Sequence, residues 1–286
     1  MLTEGLARVG ALVVSGWDSP YDAAVMDPDS SPVRRQSRGI YLLPNLLTTG
    51  CLFSGFYAIV AAIDGNFERA GVAVFVAMIF DGLDGRVARL TSTETAFGKE
   101  YDSLADMVAF GVAPAIVSYQ WGVARIAEYG KAWGRFGWLA AFFYCAAAAL
   151  RLAKFGSRVQ DKRYFEGLPS PSAAAVVAAF LWMSSEWHEP GLPGLILAFA
   201  ITAAAGALMV CRFSYSSFKG FDLTRPVRFI SLVGVALVFI VITSAPAIVL
   251  LAIFGGYALW SPVVWVWRRI RRSKRLERKA PADGAP

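Results

Sequence analysis

Histidine and cysteine are nearly absent from this chain of 286 residues. The one histidine is His188, and the three cysteines, Cys51, Cys145 and Cys211, all fall within apolar segments. The cysteine spacing matches no metal-binding or redox motif, so we expect three small buried residues rather than a thiolate site. Any metal or proton-transfer site in this chain is therefore expected to use oxygen ligands.

Charged residues are also scarce, at 17% of the chain against 56% hydrophobic residues, with a mean hydropathy of +0.50. A soluble domain of this length would need far more polar surface. The apolar runs instead approach the ~20 residues that cross a bilayer as a helix. We predict an all-α integral membrane protein with eight transmembrane helices, at about 41–63, 70–90, 103–124, 136–157, 171–187, 192–211, 227–243 and 247–267.

Lysine and arginine are distributed unevenly between the two sides of this arrangement. With the N-terminus inside, 23 of the 28 basic residues fall in cytoplasmic segments and four on the opposite side. Basic residues favour the cytoplasmic side, so we predict both termini in the cytoplasm and the protein in the cell inner membrane. Residues 1–38 are expected to be a poorly ordered cytoplasmic segment.

Residues 268–286 are predicted to form a basic cytoplasmic tail. Such a run can bind nucleic acid, but nothing aromatic or folded accompanies it. A topology signal that also contacts anionic lipid headgroups is the favoured interpretation, and no nucleic-acid partner is predicted.

Four aspartates lie at the ends of two neighbouring predicted spans, where carboxylates are energetically expensive and need partners. Helical spacing gives the second and third spans one polar face each, and a short cytoplasmic turn joins them. We therefore expect the two faces to meet. Their residues are Asp81, Asp84, Gly85, Ala88 and Arg89 on the second span, and Gly98, Asp102 and Asp106 on the third.

Four converging carboxylates repel one another unless cations neutralise them. Oxygen-only ligands suit Mg²⁺ or Mn²⁺, and two such ions would offset the charge and serve phosphoryl transfer. Alternatively, the acids form ion pairs with Arg86, Arg89 and Lys99 and only stabilise a helical hairpin. Because no histidine lies on the cytoplasmic side, a carboxylate is the natural base for deprotonating a hydroxyl group.

The stretch from Asp81 to Asp106 fits the pattern D-x2-D-G-x2-A-R-x8-G-x3-D-x3-D without deviation. It resembles the signature of the CDP-alcohol phosphotransferases, which displace CMP from a CDP-linked substrate with an alcohol. The resemblance implies that Asp81, Asp84 and Asp102 ligate two divalent cations, and that Asp106 lies near the metals and acts as the catalytic base. It also implies a CDP site that includes Gly85, Ala88, Arg89 and Gly98.

The same resemblance implies a six-helix core and a homodimer. In this chain the core would occupy residues 39–223, and residues 224–267 would form an additional two-helix hairpin.

Asn45 and Thr48 open the first span from the cytoplasmic side, three residues apart. They could reach the CDP phosphates or the cytidine. Equally, Pro44 and Asn45 could simply start the helix, proline at an early position and asparagine as its cap.

The segment F-x-G-L-P-S-P, from Phe165 to Pro171, leads into the fifth span. Irregular backbone at membrane depth is tolerated where it lines a polar cavity, although a plain turn is an equal alternative. The segment resembles bacterial phosphatidylserine synthases of the membrane-spanning type. That resemblance implies CDP-diacylglycerol and L-serine as substrates, CMP as a product, and Gly167 and Pro169 as candidate acceptor-site residues.

Arg151 and Lys154 lie at the end of the fourth span and could bind the lipid phosphate or the serine carboxylate. They could equally be markers of the cytoplasmic side. The stretch resembles an A-R-F-N segment of the family but departs from it at Lys154 and at Gly156-Ser157, so the role of the family's amide is in doubt here.

Two further functions remain as alternatives. The first is the same chemistry with glycerol 3-phosphate or inositol phosphate as the acceptor. The second is a cation transporter that uses the four carboxylates, which would place acids near the bilayer midplane and show inverted repeats. The acids here lie towards the cytoplasmic face, and no repeat is visible in the sequence.

Overall fold

The computed structural model describes residues 38–156, 164–185, 191–211, 213–216 and 243–277. Within them, all regular structure is helical apart from one pair of three-residue strands. The α-helices are α1 Arg38–Ile63, α2 Phe67–Thr91, α3 Ala96–Asp106, α4 Ala113–Trp121, α5 Lys131–Gly156, α6 Ser170–Met183, α7 Leu192–Val210 and α8 Pro246–Glu277. A π-helical turn, Met107–Val112, joins α3 to α4, and a 3₁₀ helix, Val123–Tyr129, follows α4. Strands β1 Tyr164–Glu166 and β2 Ser214–Ser216 pair antiparallel, with Phe165 opposite Tyr215.

Four of the described helices are long and apolar enough to cross a membrane, which fits an integral membrane protein. The segments are Leu42–Ile63, Gly134–Lys154, Leu192–Val210 and Pro246–Trp265. Helix α2 carries charged residues near its end, and α6 has only 14 residues. Except for residue 243, the predicted span 227–243 lies outside the described residues, as does the N-terminal segment 1–38 except for Arg38. The count of eight spans therefore stays a prediction.

The two helices that carry the acids have capped ends, which fixes where each begins. The side chain of Asn66 caps α2 by accepting a hydrogen bond from the backbone N–H of Arg69, at 3.1 Å. Ser92 takes a left-handed conformation and ends the same helix. Thr95 then caps α3 by accepting from the backbone N–H of Gly98, at 2.9 Å. The short capped turn confirms the predicted connection between the two spans.

Small residues let the helices approach one another closely. A Cβ atom added at Gly71 of α2 would lie 2.9 Å from the Cβ of Trp182 on α6. One added at Gly206 of α7 would lie 3.1 Å from the Cα of Tyr144 on α5. Among the described residues, most of the buried hydrophobic side chains are alanine, including Ala147, Ala148, Ala173, Ala174, Ala175 and Ala178.

The third predicted span, 103–124, is not one regular helix, so that expectation is corrected. Its backbone changes to a π-helical turn directly after Asp106. The hydroxyl group of the buried Tyr144 donates a hydrogen bond to the carbonyl of Phe110 within this turn, at 2.9 Å. Helix α1 crosses the same turn closely, because a Cβ atom at Gly55 would lie 2.6 Å from the Cα of Ala109. Contacts from two neighbouring helices thus hold the irregular turn in place.

Helix α8 continues to Glu277, ten residues beyond the predicted end of its span. The first part of the predicted basic tail is therefore helical, and the guanidinium of Arg271 lies 3.6 Å from the ring centroid of Trp267. The helix packs against α6. The rings of Trp265 and Phe213 are 5.6 Å apart, which adds a contact close to β2. Helix α8 is thus in direct contact with elements of the predicted core.

Candidate active site

Three of the four predicted aspartates form a tight cluster between α2 and α3. One carboxylate oxygen from each of Asp81, Asp102 and Asp106 lies within 4.8 Å of the other two. The carboxyl groups of Asp81 and Asp106 lie close enough to interact electrostatically. Atom Oδ1 of Asp106 is buried and has no hydrogen-bond partner among the described residues. A buried carboxylate oxygen without a donor, in a group of acids, is what a bound cation would satisfy.

Asp84 lies beside this cluster rather than within it. Its carboxylate is buried, and Oδ2 accepts a hydrogen bond from Oγ1 of Thr48 on α1, at 2.7 Å. The charge of Asp84 nevertheless acts on both Asp81 and Asp102. The structure therefore brings all four acids into one electrostatic group, with the Asp84 side chain oriented by a neighbouring helix.

No ion pair within the described part of the chain joins the four aspartates to Arg86, Arg89 or Lys99. An ion pair that the described residues do contain joins Arg125 and Glu128 in the 3₁₀ helix, with 3.2 Å between the nitrogen and oxygen atoms. The alternative in which the four acids form ion pairs with these basic residues and only stabilise a helical hairpin is therefore wrong. Clustered carboxylates without basic partners need another counter-charge, and an all-oxygen ligand set fits a hard divalent cation.

A cavity of about 470 Å³ opens next to Asp84 and Asp102, at the ends of α1, α2 and α3. This volume is in the range of small-molecule and cofactor sites. All six residues predicted from the sequence to bind CDP line it, namely Asn45, Thr48, Gly85, Ala88, Arg89 and Gly98. Residues 93–95 of the turn and Ala96 at the start of α3 also line the cavity. The sequence analysis missed them, although their position between the two acidic helices pointed to them.

The two glycines of the cavity wall have different surroundings. A Cβ atom at Gly85 would meet only the guanidinium of Arg89, at 3.7 Å. One at Gly98 would lie 3.1 Å from Oγ1 of Thr95 and 3.3 Å from Oδ1 of Asn45. Gly85 thus leaves open space beside Arg89, whereas Gly98 allows α1 and α3 to approach each other.

Asn45 does not cap α1, because that helix begins at Arg38 and includes Pro44. The interpretation of Pro44 and Asn45 as a simple helix start is therefore wrong. Asn45 lies instead on the wall of the cavity, with its side-chain oxygen close to Gly98.

The predicted acceptor residues do not line this cavity. Arg151, near the end of α5, is buried, and its Nη1 donates a hydrogen bond to Oγ of Ser170 at 3.0 Å. Ser170 is the first residue of α6 and was not predicted from the sequence. Asp106 is close enough to act electrostatically on the Arg151 guanidinium. Lys154 lies almost one turn further along α5 and is partly exposed.

Gly167 and Pro169 connect β1 to α6 and are held by backbone contacts. Gly167 has φ +83°, and an added Cβ atom would collide with the carbonyl oxygen of Met209. The N–H of Gly167 donates to the carbonyl of Phe213, at 2.9 Å, and the N–H of Leu168 donates to that of Leu208, also at 2.9 Å. Only glycine fits this position without strain, and the two hydrogen bonds hold the segment against the end of α7.

Comparison with known proteins gives consistent results. A sequence model described as CDP-alcohol phosphatidyltransferase matches residues 41–212. A CDP-diacylglycerol–serine O-phosphatidyltransferase from Helicobacter pylori is 34% identical over 236 residues, which cover 81% of this chain and 94% of that protein. One from Mycobacterium leprae is 33% identical over 174 residues, 55% of each chain. An archaetidylserine synthase from Methanothermobacter thermautotrophicus is 32% identical over 180 residues, 62% of this chain and 71% of the relative. The range 41–212 contains every candidate site residue described above.

Proposed function

The chain belongs to the CDP-alcohol phosphatidyltransferase family, and from this premise we propose that it transfers the phosphatidyl group of CDP-diacylglycerol to L-serine. The products are phosphatidylserine and CMP. The observation that carries the proposal is the cluster of Asp81, Asp102 and Asp106 beside a cavity lined by the predicted CDP residues. The choice of serine is supported by the names of relatives that are similar over most of this chain.

In this proposal the cytidine diphosphate group occupies the cavity, and the acyl chains remain in the lipid. Gly85 and Ala88 leave room for the diphosphate, and the planar guanidinium of Arg89 binds its oxygens. Thr48 orients Asp84 through its hydroxyl group. Positioning of this kind supplies a large part of the rate in phosphoryl transfer.

Asp106 accepts the proton of the serine hydroxyl group in the proposed step. The serine oxygen attacks the phosphorus atom that carries the diacylglycerol. The bond from this phosphorus to the bridging oxygen breaks, and its electron pair leaves with CMP. Asp106 suits the role because it adjoins Asp102, which lines the cavity, and because no histidine lies on the predicted cytoplasmic side.

Asp81, Asp84, Asp102 and Asp106 would hold two divalent cations, Mg²⁺ or Mn²⁺. When bound, such ions supply charge stabilisation for the phosphate oxygens and the leaving group. The carboxylate-only ligand set and the absence of neighbouring ion pairs in the described residues support this assignment.

The proposed setting is the cell inner membrane, with eight spans, both termini in the cytoplasm and the site facing the cytoplasm. The proposed assembly is a homodimer, as the family resemblance implies. The partners are then CDP-diacylglycerol, L-serine, CMP and membrane lipids.

Replacement of Asp106 tests the proposed base. Purified protein with CDP-diacylglycerol, L-serine and Mn²⁺ is expected to release CMP, and Asp106→Asn is expected to lower the rate by about 10²–10⁴-fold, because the amide cannot take up the proton. The matched control is Asp64→Asn, in the exposed turn between α1 and α2, which should keep the wild-type rate. CMP release by Asp106→Asn at the wild-type rate would show that the base is another group.

An acceptor panel in the same assay separates the alternatives. Faster CMP release with glycerol 3-phosphate or inositol phosphate than with L-serine would change the assigned acceptor. Divalent-cation flux through proteoliposomes without CDP-diacylglycerol, together with no CMP release under any condition, would favour a transporter instead.

A further inference from the structure

The turn between α2 and α3 forms part of the cavity wall at a distance from the acids. Thr93, Glu94 and Thr95 of this turn line the same cavity as Asp84 and Asp102. Asp84 lies seven residues before the end of α2, and Asp102 lies six residues after the start of α3. Both acids are therefore about 10 Å from the turn along the axes of their helices. The cavity thus extends from the acids to the turn that connects the two helices.

The backbone on both sides of Glu94 is held in place. The N–H of Thr93 donates a hydrogen bond to the carbonyl of Ala88, at 3.0 Å. The side chain of Thr93 is buried, and its hydroxyl group lies 2.7 Å from that of Thr91. On the other side, Thr95 caps α3 through the N–H of its third residue, at 2.9 Å. Glu94 is exposed, but its place on the cavity wall is fixed by these neighbours.

The carboxylate of Glu94 forms no hydrogen bond or ion pair within the described part of the chain. Arg89 and Lys99 line the same cavity, and neither is joined to it by an ion pair there. An ionised carboxylate only accepts hydrogen bonds. It also repels the phosphate groups of a nucleotide. Glu94 is therefore suited to a part of the ligand that carries hydrogen-bond donors and lies away from the phosphates.

The proposed orientation of the nucleotide brings its base to this turn. Cations held by the aspartates fix the diphosphate at the acidic end of the cavity, so the ribose follows and the base extends furthest towards Glu94. Cytosine carries an amino group on C4, from which a glutamate can accept a hydrogen bond. Uracil, like thymine, carries an oxygen acceptor at the same position. A carboxylate at the turn therefore attracts cytosine and repels uracil.

We propose that Glu94 selects cytosine as the base of the nucleotide substrate. Its carboxylate accepts a hydrogen bond from the C4 amino group, and it places a negative charge against the corresponding oxygen of uracil. The inference rests on the proposed use of a CDP-linked substrate. Glu94 lies between Arg89 and Gly98, in a stretch where the signature fixes no residue, so it adds a contact that the signature does not contain.

The test measures the binding of CDP and UDP to the purified full-length protein in the presence of Mn²⁺, by isothermal titration calorimetry. Wild-type protein is expected to bind CDP about tenfold or more tightly than UDP. Glu94→Gln should weaken CDP binding about tenfold and leave UDP binding unchanged or tighter, because the amide can turn its N–H groups towards the uracil oxygen. Glu100→Gln is the matched control and should keep both affinities, since Glu100 is exposed on α3 and does not line the cavity.

Equal affinities of the wild-type protein for CDP and UDP overturn the inference, as does a wild-type ratio of the two affinities in Glu94→Gln. The same measurement with 2′-deoxy-CDP separates the base from the ribose. A contact with the base predicts that Glu94→Gln weakens the binding of 2′-deoxy-CDP as much as that of CDP. A loss confined to CDP overturns the inference, because Glu94 would then bind the ribose.

The proposed function fails in a different way. If wild-type protein binds CDP but releases no CMP from CDP-diacylglycerol with L-serine, the proposed transfer to serine is overturned, and the affinities for CDP and UDP still decide the role of Glu94. If wild-type protein binds neither nucleotide, both the proposed function and the inference are overturned.

Discussion

At the scale of single residues, Thr48 holds one oxygen of Asp84 across the interface between α1 and α2. The hydroxyl group lies 2.7 Å from Oδ2, and both side chains are buried. A donor from a neighbouring helix fixes the direction in which a potential metal ligand points. Thr48 therefore affects the proposed metal site as well as the wall of the cavity.

Thr48→Val should weaken cation binding without changing the shape of α1. Valine has nearly the same volume as threonine but cannot donate to Asp84, so we expect the Mn²⁺ concentration for half-maximal CMP release to rise about tenfold or more. Thr49→Val is the matched control, because the Thr49 hydroxyl contacts the hydroxyl of Tyr101 on an exposed surface. An unchanged Mn²⁺ requirement in Thr48→Val would contradict the role given to this contact.

The spacing of the signature residues predicted the cavity wall well, because helical periodicity fixes which side chains share a face. Gly85, Ala88 and Arg89 of α2 indeed line one cavity. The contact of Thr48 with Asp84 could not be predicted, because it depends on how far α1 is shifted along its axis relative to α2. The spacing of residues within one helix carries no information about that shift.

At the scale of elements, the short segment between β1 and α6 depends on one left-handed residue. Gly167 has φ +83° and faces the carbonyl of Met209, so only glycine is free of strain there. Backbone hydrogen bonds on either side of this residue dock the segment onto the end of α7. These hydrogen bonds therefore fix the position of the start of α6, including Ser170.

Gly167→Ala should destabilise the folded protein by about 1–3 kcal/mol, because it combines an unfavourable φ with a steric collision. The expected observation is a lower apparent Tm in detergent. Gly191→Ala, at the exposed start of α7, is the comparison, since a Cβ atom there would meet only Cδ of Pro193 at 3.7 Å. Equal Tm values for the two variants would rule out the proposed strain.

Element boundaries were predicted best where turn residues mark them, as in the turn that ends with the cap Asn66. The π-helical turn after Asp106 was missed, because hydrophobic content over residues 107–112 is the same for an α-helix and a π-helix. The strand pair was missed too, since three-residue strands contain too few residues to show an alternating pattern.

At the scale of the whole molecule, the basic residues predict which side faces the cytoplasm. Ser92, between α2 and α3, and Asp64, between α1 and α2, are both exposed and lie at opposite ends of α2. They should therefore lie on opposite sides of the membrane if α2 crosses it.

Cysteine labelling tests this orientation. In a background with Cys51, Cys145 and Cys211 replaced by alanine, a membrane-impermeant maleimide should label Ser92→Cys in inside-out vesicles and Asp64→Cys in right-side-out vesicles. The basic residues next to Ser92 are the reason for this expectation. The reverse pattern would invert the topology, and labelling of both positions from one side would show that α2 does not cross.

The π-helical turn restricts insertions and deletions in this part of the chain. Such a turn is equivalent to an α-helix with one inserted residue, and each residue of an α-helix rotates the chain by about 100°. Helix α4 is tied to α7 by the buried contact of Ser118 with Thr202, at 2.6 Å. Deleting one residue between 107 and 112 would restore a regular helix and turn α3, with Asp102 and Asp106, away from Asp81. Insertions and deletions are therefore excluded from this stretch by the geometry of the acids, however apolar its residues remain.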